Sequence, residues 1–157
     1  MARESARAMS VRQADISGKP VVFRRATATG TIRLRPGTLR LIKRGKLAKG
    51  DPIAISKTMA VLAVKKTPEM LALCHPLRIE HVEVEEEAAA DSIEVTVTVS
   101  AHEKTGVEME ALTAVTVALL NIWDVVKGYE KDAMGQYPAT RIDGVRVVEK
   151  VKRSGST

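Results

Sequence analysis

The sequence predicts an α+β sandwich: one antiparallel sheet with helices on one face. Ile93, Val95, Val97 and Val99 alternate with polar neighbours, the two-residue period of a half-buried strand. Leu112, Val115, Leu119, Ile122 and Val126 step by three and four residues, which draws one apolar stripe down a helix. Along the chain the order is strand, helices, strand, strand, helix, strand, the βαββαβ arrangement of a ferredoxin-like fold. At 157 residues the chain suits one domain spanning 1–157 with a full core. Residues up to about 14 and those from 151 to 157 are expected to be flexible termini.

The first strand is expected from Val21 to Leu34, with Val22, Ile32 and Leu34 among β-branched residues, and Pro36-Gly37 breaks it. A short helix should cover Thr38 to Arg44, with Gly45 placed to end it. Lys49-Gly50-Asp51 forms a turn that closes in an N-cap, because Asp51 precedes Pro52. The next helix runs to about Lys66 with Ile53, Ala60, Ala63 and Val64 inward, and Thr67-Pro68-Glu69 restarts a short turn of helix up to Leu73. A second strand covers Leu77 to Glu86, the third centres on Ile93 to Val99, and a long helix fills Glu108 to Glu130. Ile142, Val145 and Val147 mark the last strand, interrupted by a turn or bulge at Asp143-Gly144.

Composition narrows the function. Hydrophobic residues are 45% and charged residues 28%, as in an ordinary globular protein, and no apolar run is expected to cross a membrane. The start, MARESARAMSVRQ, is basic without an apolar stretch, unlike a secretory signal. One cysteine excludes an internal disulfide and agrees with a cytoplasmic setting. The net charge of +6 suits an anionic partner, and aromatics at 3% supply little surface for stacking bases. A phosphate-bearing small molecule fits better than nucleic acid.

The long helix carries a second message. Opposite its stripe, Glu110, Thr113, Val117, Leu120, Asp124 and Lys127 share a face at about 100° per residue. Val117 and Leu120 there call for a second buried surface, made by another subunit. Asp124 and Lys127, three apart, can meet on that face. Glu110 and Asp124, fourteen positions apart, are ~21 Å apart along a straight helix and cannot act on one atom within one chain. They could line two ends of an extended ligand, or the site could be built by two chains; both arrangements need an interface, so a site shared between subunits is expected.

In Leu73-Cys74-His75-Pro76 the proline favours extended backbone before it and aims the imidazole in a fixed direction. His75 either caps a turn or serves a phosphate or a proton. Cys74 reads as a small packed residue, since the preceding helix offers it a carboxyl end, the wrong pole for a thiolate. His75, His81, His102, Glu108 and Glu110 match no metal-ligand spacing, so no protein-held metal is expected. Arg24 and Arg25 point to opposite faces, so only one can reach a central site. Lys43, Lys46, Lys104 and Lys131 read as solvated charges, as do Glu85, Glu86 and Glu87.

The same stretches resemble one family, the MoaC family of molybdenum cofactor biosynthesis, the cyclic pyranopterin monophosphate synthases. The resemblance starts at Asp15-Ile16-Ser17 and runs through Arg24-Arg25-Ala26, Lys49-Gly50-Asp51 and Ala63-Val64-Lys65-Lys66-Thr67. It is strongest in Leu73-Cys74-His75-Pro76-Leu77, in TGVEMEALTAVTVALL, and in Ile122 to Asp132. It implies a ferredoxin-like subunit, a homohexamer built as a trimer of dimers, and active sites at the dimer interface. The implied substrate is a cyclic dihydro-GTP joined between sugar C3′ and purine C8. The implied products are cyclic pyranopterin monophosphate and pyrophosphate. The implied enzyme is a lyase that requires no cofactor, although Mg2+ can accompany the triphosphate, and neither nucleic acid nor membrane is a partner.

Residue by residue, the resemblance places catalysis on Asp124, Lys127 and Lys49. Substrate binding falls on Leu73, Cys74 and His75, on Glu108, Met109 and Glu110, and on the basic positions Arg24 and Lys65. The tail EKVKRSGST departs from the family's glycine-rich ending; only Lys150 aligns with its first lysine. A reaction that opens a C–N bond, rebuilds a pterin and closes a cyclic phosphate needs proton donors, acceptors and cations. The alternative is a non-catalytic dimeric nucleotide-binding module.

Overall fold

The computed structural model describes residues 10–154. Seven elements follow in order: β1 (Val22–Arg33), α1 (Pro36–Lys43), α2 (Pro52–Met70), β2 (His81–Ala88), β3 (Ser92–Glu103), α3 (Glu108–Glu130) and β4 (Arg141–Arg153). The four strands form one antiparallel sheet in the order β2-β3-β1-β4. This is the ferredoxin-like arrangement that the sequence pattern predicts.

Alternation sets the core. β1 and β3 pair so that Ala26 faces Val99, Ala28 faces Val97 and Ile32 faces Ile93. These residues are buried, and Val115, Leu119, Ile122 and Val126 of α3 close over them. Each aliphatic side chain of this size contributes roughly 1.5–3 kcal/mol when fully buried. The other face of the sheet is polar: the Thr27 and Thr98 hydroxyls meet at 2.9 Å and those of Thr29 and Thr96 at 3.2 Å. Gly30 lets α3 come close. A Cβ there would stand 2.9 Å from atoms of Leu119, Val115 and Val145.

The N-cap of α2 forms as predicted, with the Asp51 carboxylate accepting the Ile53 N–H at 2.9 Å. The helix differs downstream. Pro68 does not restart it; α2 continues unbroken to Met70. Only one ladder bond is lost near the end, and the Thr67 hydroxyl donates to the Ala63 carbonyl at 2.9 Å. β2 begins at His81, four residues later than the apolar pattern implied, and before it the Arg78 N–H goes to the Glu103 carboxylate at 2.8 Å rather than to a strand carbonyl.

Two further expectations are corrected. β4 extends to Arg153, with Val151 opposite Arg25 and Arg153 opposite Phe23, so residues 151–153 are strand rather than flexible terminus. Residues 1–9 and 155–157 lie outside the described residues. α3, at mean hydropathy 1.5 over its most apolar window, is long and apolar enough to cross a membrane, contrary to the sequence reading. Half of that window is buried against the sheet and α2, which makes it a core helix. The predicted irregularity at Asp143-Gly144 is a bulge: Gly144 has φ 67° and the register shifts between Thr29 and Thr31.

Candidate functional site

Two clusters form at opposite ends of α3. At the C-terminal end, Asp124 stands between two lysines. Lys127, one turn on, donates to its Oδ1 at 2.7 Å, and Lys49 donates to its Oδ2 at 2.8 Å and to its backbone carbonyl at 2.9 Å. Lys49 reaches the helix from the 45–51 turn, which Gly50 shapes with φ 102°. The Tyr129 hydroxyl accepts the Ala48 N–H at 3.0 Å, so α3 holds the backbone beside Lys49 as well as its ammonium.

The three side chains are about half exposed, so the ion pairs add little stability. Their effect is on protonation. Hydrogen bonds from Lys127 and then Lys49 hold the Asp124 carboxyl down at about 2. The hydrogen bond to Asp124 and then its charge raise Lys127. At neutral pH the cluster is a carboxylate locked between cations.

At the N-terminal end of α3 two adjoining hollows make a cleft. The inner one, about 190 Å³, is lined by Leu73, Cys74, His75, Met109 and Glu110, with Ala14, Ile16 and Lys19 closing over them. The outer one, about 340 Å³, is basic, with Lys19, Arg24, Lys104 and Lys150 around Glu108. Glu110 is only 3% exposed, and its Oε2 is buried without a partner. Burial raises its pKa, and the Glu108 charge adds to that. Burial raises Cys74 too, helped by Glu110, which keeps the thiol protonated and agrees with a lining role.

The structure therefore gathers Leu73, Cys74, His75, Glu108, Met109, Glu110 and Arg24 into one cleft, and Asp124, Lys127 and Lys49 into one cluster. It does not bring the two groups together within one chain. Lys65 is exposed on α2 and lines neither hollow. Arg24 is 9% exposed, and its guanidinium donates to the carbonyls of Glu103 and Lys104, so it braces the cleft wall. Arg25 lies on the other face and pairs with Glu149 at 3.0 Å.

Several residues carry more than their sequence pattern implied. Lys104, expected to be solvated, lines the outer hollow and donates to the Ser17 carbonyl at 3.0 Å. Gln13, expected in a flexible terminus, donates to the carbonyls of Leu73 and Cys74. Lys150 pairs with Glu108. Glu86 is not a solvated strand end: it takes the Ser56 hydroxyl at 2.5 Å beneath α2. It also borders a cavity of about 530 Å³ between α1, the 45–52 turn and the sheet, whose lining contains none of the candidate site residues. His81 and His102 are exposed as expected, the latter 2.8 Å from Glu80.

The MoaC family model matches residues 13–153, which span both clusters and every strand. The chain belongs to the MoaC family. A probable cyclic pyranopterin monophosphate synthase of Pyrococcus abyssi is 57% identical over 142 residues, covering 90% of this chain and 89% of the relative. Its counterpart in Pyrococcus horikoshii is 56% identical, covering 93% and 92%. A Methanothermobacter thermautotrophicus relative, 51% identical over 90% of this chain and 89% of its own length, is named a probable synthase accessory protein. In this MoaC-family chain no group of three or more His, Cys, Asp or Glu is arranged to hold a metal among the described residues. Its side chains offer a carboxylate held between two ammonium groups at one end and a basic hollow at the other.

Proposed function

We propose that this chain is a cyclic pyranopterin monophosphate synthase, a lyase of molybdenum cofactor biosynthesis that converts cyclic dihydro-GTP into cyclic pyranopterin monophosphate and pyrophosphate. The observation that carries the reading is the Lys49–Asp124–Lys127 cluster, a carboxylate clamped by two ammonium groups at 2.8 and 2.7 Å on an open surface. The names of its relatives in the MoaC family agree with it.

The cleft binds substrate and the cluster performs proton transfers. Glu110, buried with one carboxylate oxygen unpartnered, hydrogen-bonds the guanine-derived ring, with Leu73, Cys74, His75 and Met109 around it. The basic hollow takes the phosphates, with Arg24 bracing it and Glu108 orienting Lys150. Lys65 would meet phosphate only across a subunit boundary. No resident cofactor is required, and Mg2+ would arrive with the triphosphate.

The cleft of one subunit meets the cluster of another. The ~21 Å between Glu110 and Asp124 keeps both from one atom within one chain, and a site shared between subunits brings them to one substrate. Leu120, between them on α3, is 54% exposed and awaits cover. A homohexamer assembled as a trimer of dimers, in the cytoplasm, satisfies these requirements.

The test is pyrophosphate release from cyclic dihydro-GTP by the wild type and by Asp124→Asn, at matched oligomer size. Release by the wild type and a loss of roughly 10²–10⁴ in the variant support the reading. No release by a properly assembled wild type would leave a nucleotide-binding module, the alternative that a relative named as an accessory protein keeps in view.

A further inference from the structure

The two hollows of the cleft share a seam, and Lys19 lines both of them. It gets there through a short strap. Gln13 fastens the strap to the carbonyls of Leu73 and Cys74 at 3.4 and 3.2 Å. A turn follows, in which the Asp15 carboxylate accepts the Ser17 N–H at 2.8 Å and the Ile16 carbonyl accepts the Lys19 N–H at 3.1 Å. Lys104 ties the same turn down through the Ser17 carbonyl.

The other cations of the basic hollow are each already held by a protein partner. Arg24 donates to two backbone carbonyls, Lys104 to a third, and Lys150 to the Glu108 carboxylate. Among the described residues, no hydrogen bond or ion pair engages the Lys19 ammonium. It is an unheld ammonium on a fastened turn, between a hollow shaped for a ring and one charged for phosphate. A strap that served only as a lid would not need a cation there, and Ala14 and Ile16 already supply its apolar contacts.

We infer that Lys19 is a substrate-binding residue, whose ammonium takes a phosphate oxygen where the inner and outer hollows join, and that residues 13–19 are a fixed wall of the site. This deepens the synthase reading and rests on it for the identity of the full substrate. The chemistry recognised is that of a linear polyphosphate attached to a heterocycle. A charge-assisted bond to phosphate in a partly enclosed hollow should change affinity by about tenfold or more.

The experiment titrates inorganic triphosphate calorimetrically into wild type, Lys19→Met and Lys19→Arg, and measures pyrophosphate release by each. The inference expects Lys19→Met to weaken triphosphate binding about tenfold and to raise KM similarly with little change in kcat, at unchanged Tm. Lys19→Arg should recover most of the affinity. Equal affinity in wild type and Lys19→Met would overturn the inference, as would a wild type that binds no triphosphate. Equal losses in both variants with a lowered Tm would assign Lys19 to the fold instead. A wild type that binds triphosphate through Lys19 yet releases no pyrophosphate would sink the synthase reading and leave the anion site standing.

Discussion

Glu130 closes the last turn of α3 and is fully buried. Its carboxylate accepts the Arg35 N–H at 3.1 and 3.2 Å, the Thr38 hydroxyl, and the Thr140 hydroxyl at 2.5 Å. One side chain thus joins the end of α3, the start of α1 and the approach to β4. Glu130→Ala would strand three donors in a void. Each unsatisfied donor costs about 1–3 kcal/mol, and the hydroxyls can turn to recover part of it, so the expected loss is about 3–5 kcal/mol. For a chain of this size 1 kcal/mol moves Tm by about 3 °C, which gives a fall of about 9–15 °C. Glu130→Gln keeps one acceptor but turns an amide N–H towards a donor, and should fall between wild type and alanine. The assay is thermal unfolding at fixed protein concentration, with oligomer size checked beforehand. A Tm drop below about 3 °C for Glu130→Ala would refute the reasoning, because it would mean that water or other acceptors replace the carboxylate freely.

Gly30→Ala should overpack the contact between β1 and α3 and cost about 1–3 kcal/mol in denaturant unfolding, since three side chains already stand 2.9 Å from the new carbon. Tyr129→Phe removes the acceptor of the Ala48 N–H at 3.0 Å. It should lower kcat severalfold while costing only about 0.5–1.5 kcal/mol of stability, and an unchanged kcat would separate Tyr129 from the placement of Lys49. Glu110 ties stability to pH. Its pKa is raised in the folded chain from 4.5, so its contribution is whole below 4.5 and is lost as pH rises through the folded value. Glu110→Gln should flatten that part of the stability–pH curve, and an unaltered slope would contradict its burial as an ionisable group.

The sequence shows the sheet and the long helix because their periods are uninterrupted; Ile93 to Val99 and Leu112 to Val126 can be assigned by counting. It misjudges α2 at Pro68, where a proline in the last turn forfeits one bond and the tertiary packing of Thr67 holds the helix together. Asp124 and Lys127 are visible as a pair because three residues along a helix bring side chains together whatever the fold. Lys49 is placed beside them only by the resemblance, for no local pattern says which turn reaches which helix. Gln13, Lys19 and Lys104 escape notice for the same reason. Their partners lie 60, 61 and 87 positions away or are shared walls of a hollow, and a strap without periodicity looks like a loose end.

The protonation of the two clusters divides their work. A carboxylate at about 2 is a poor proton acceptor at neutral pH, because moving a proton to it runs far uphill. The same two hydrogen bonds that depress it are offered by ammonium groups that a phosphate would also attract. An arriving anion would compete for Lys127 and Lys49 and let the Asp124 carboxyl rise from its resting value, so the base would form only when substrate is present. In the free enzyme, the Asp124 interaction is complete above 3.8 and fades only as pH falls towards about 2. An acid limb of kcat/KM above pH 4 must therefore come from another group. Glu110, raised by burial at the other end of α3, is the group the geometry offers. The expected result is an acid limb that disappears or moves in Glu110→Gln and stays in place in Tyr129→Phe. A limb unchanged in Glu110→Gln would remove Glu110 from the titration and leave the acid dependence to a group other than the lysine-clamped aspartate.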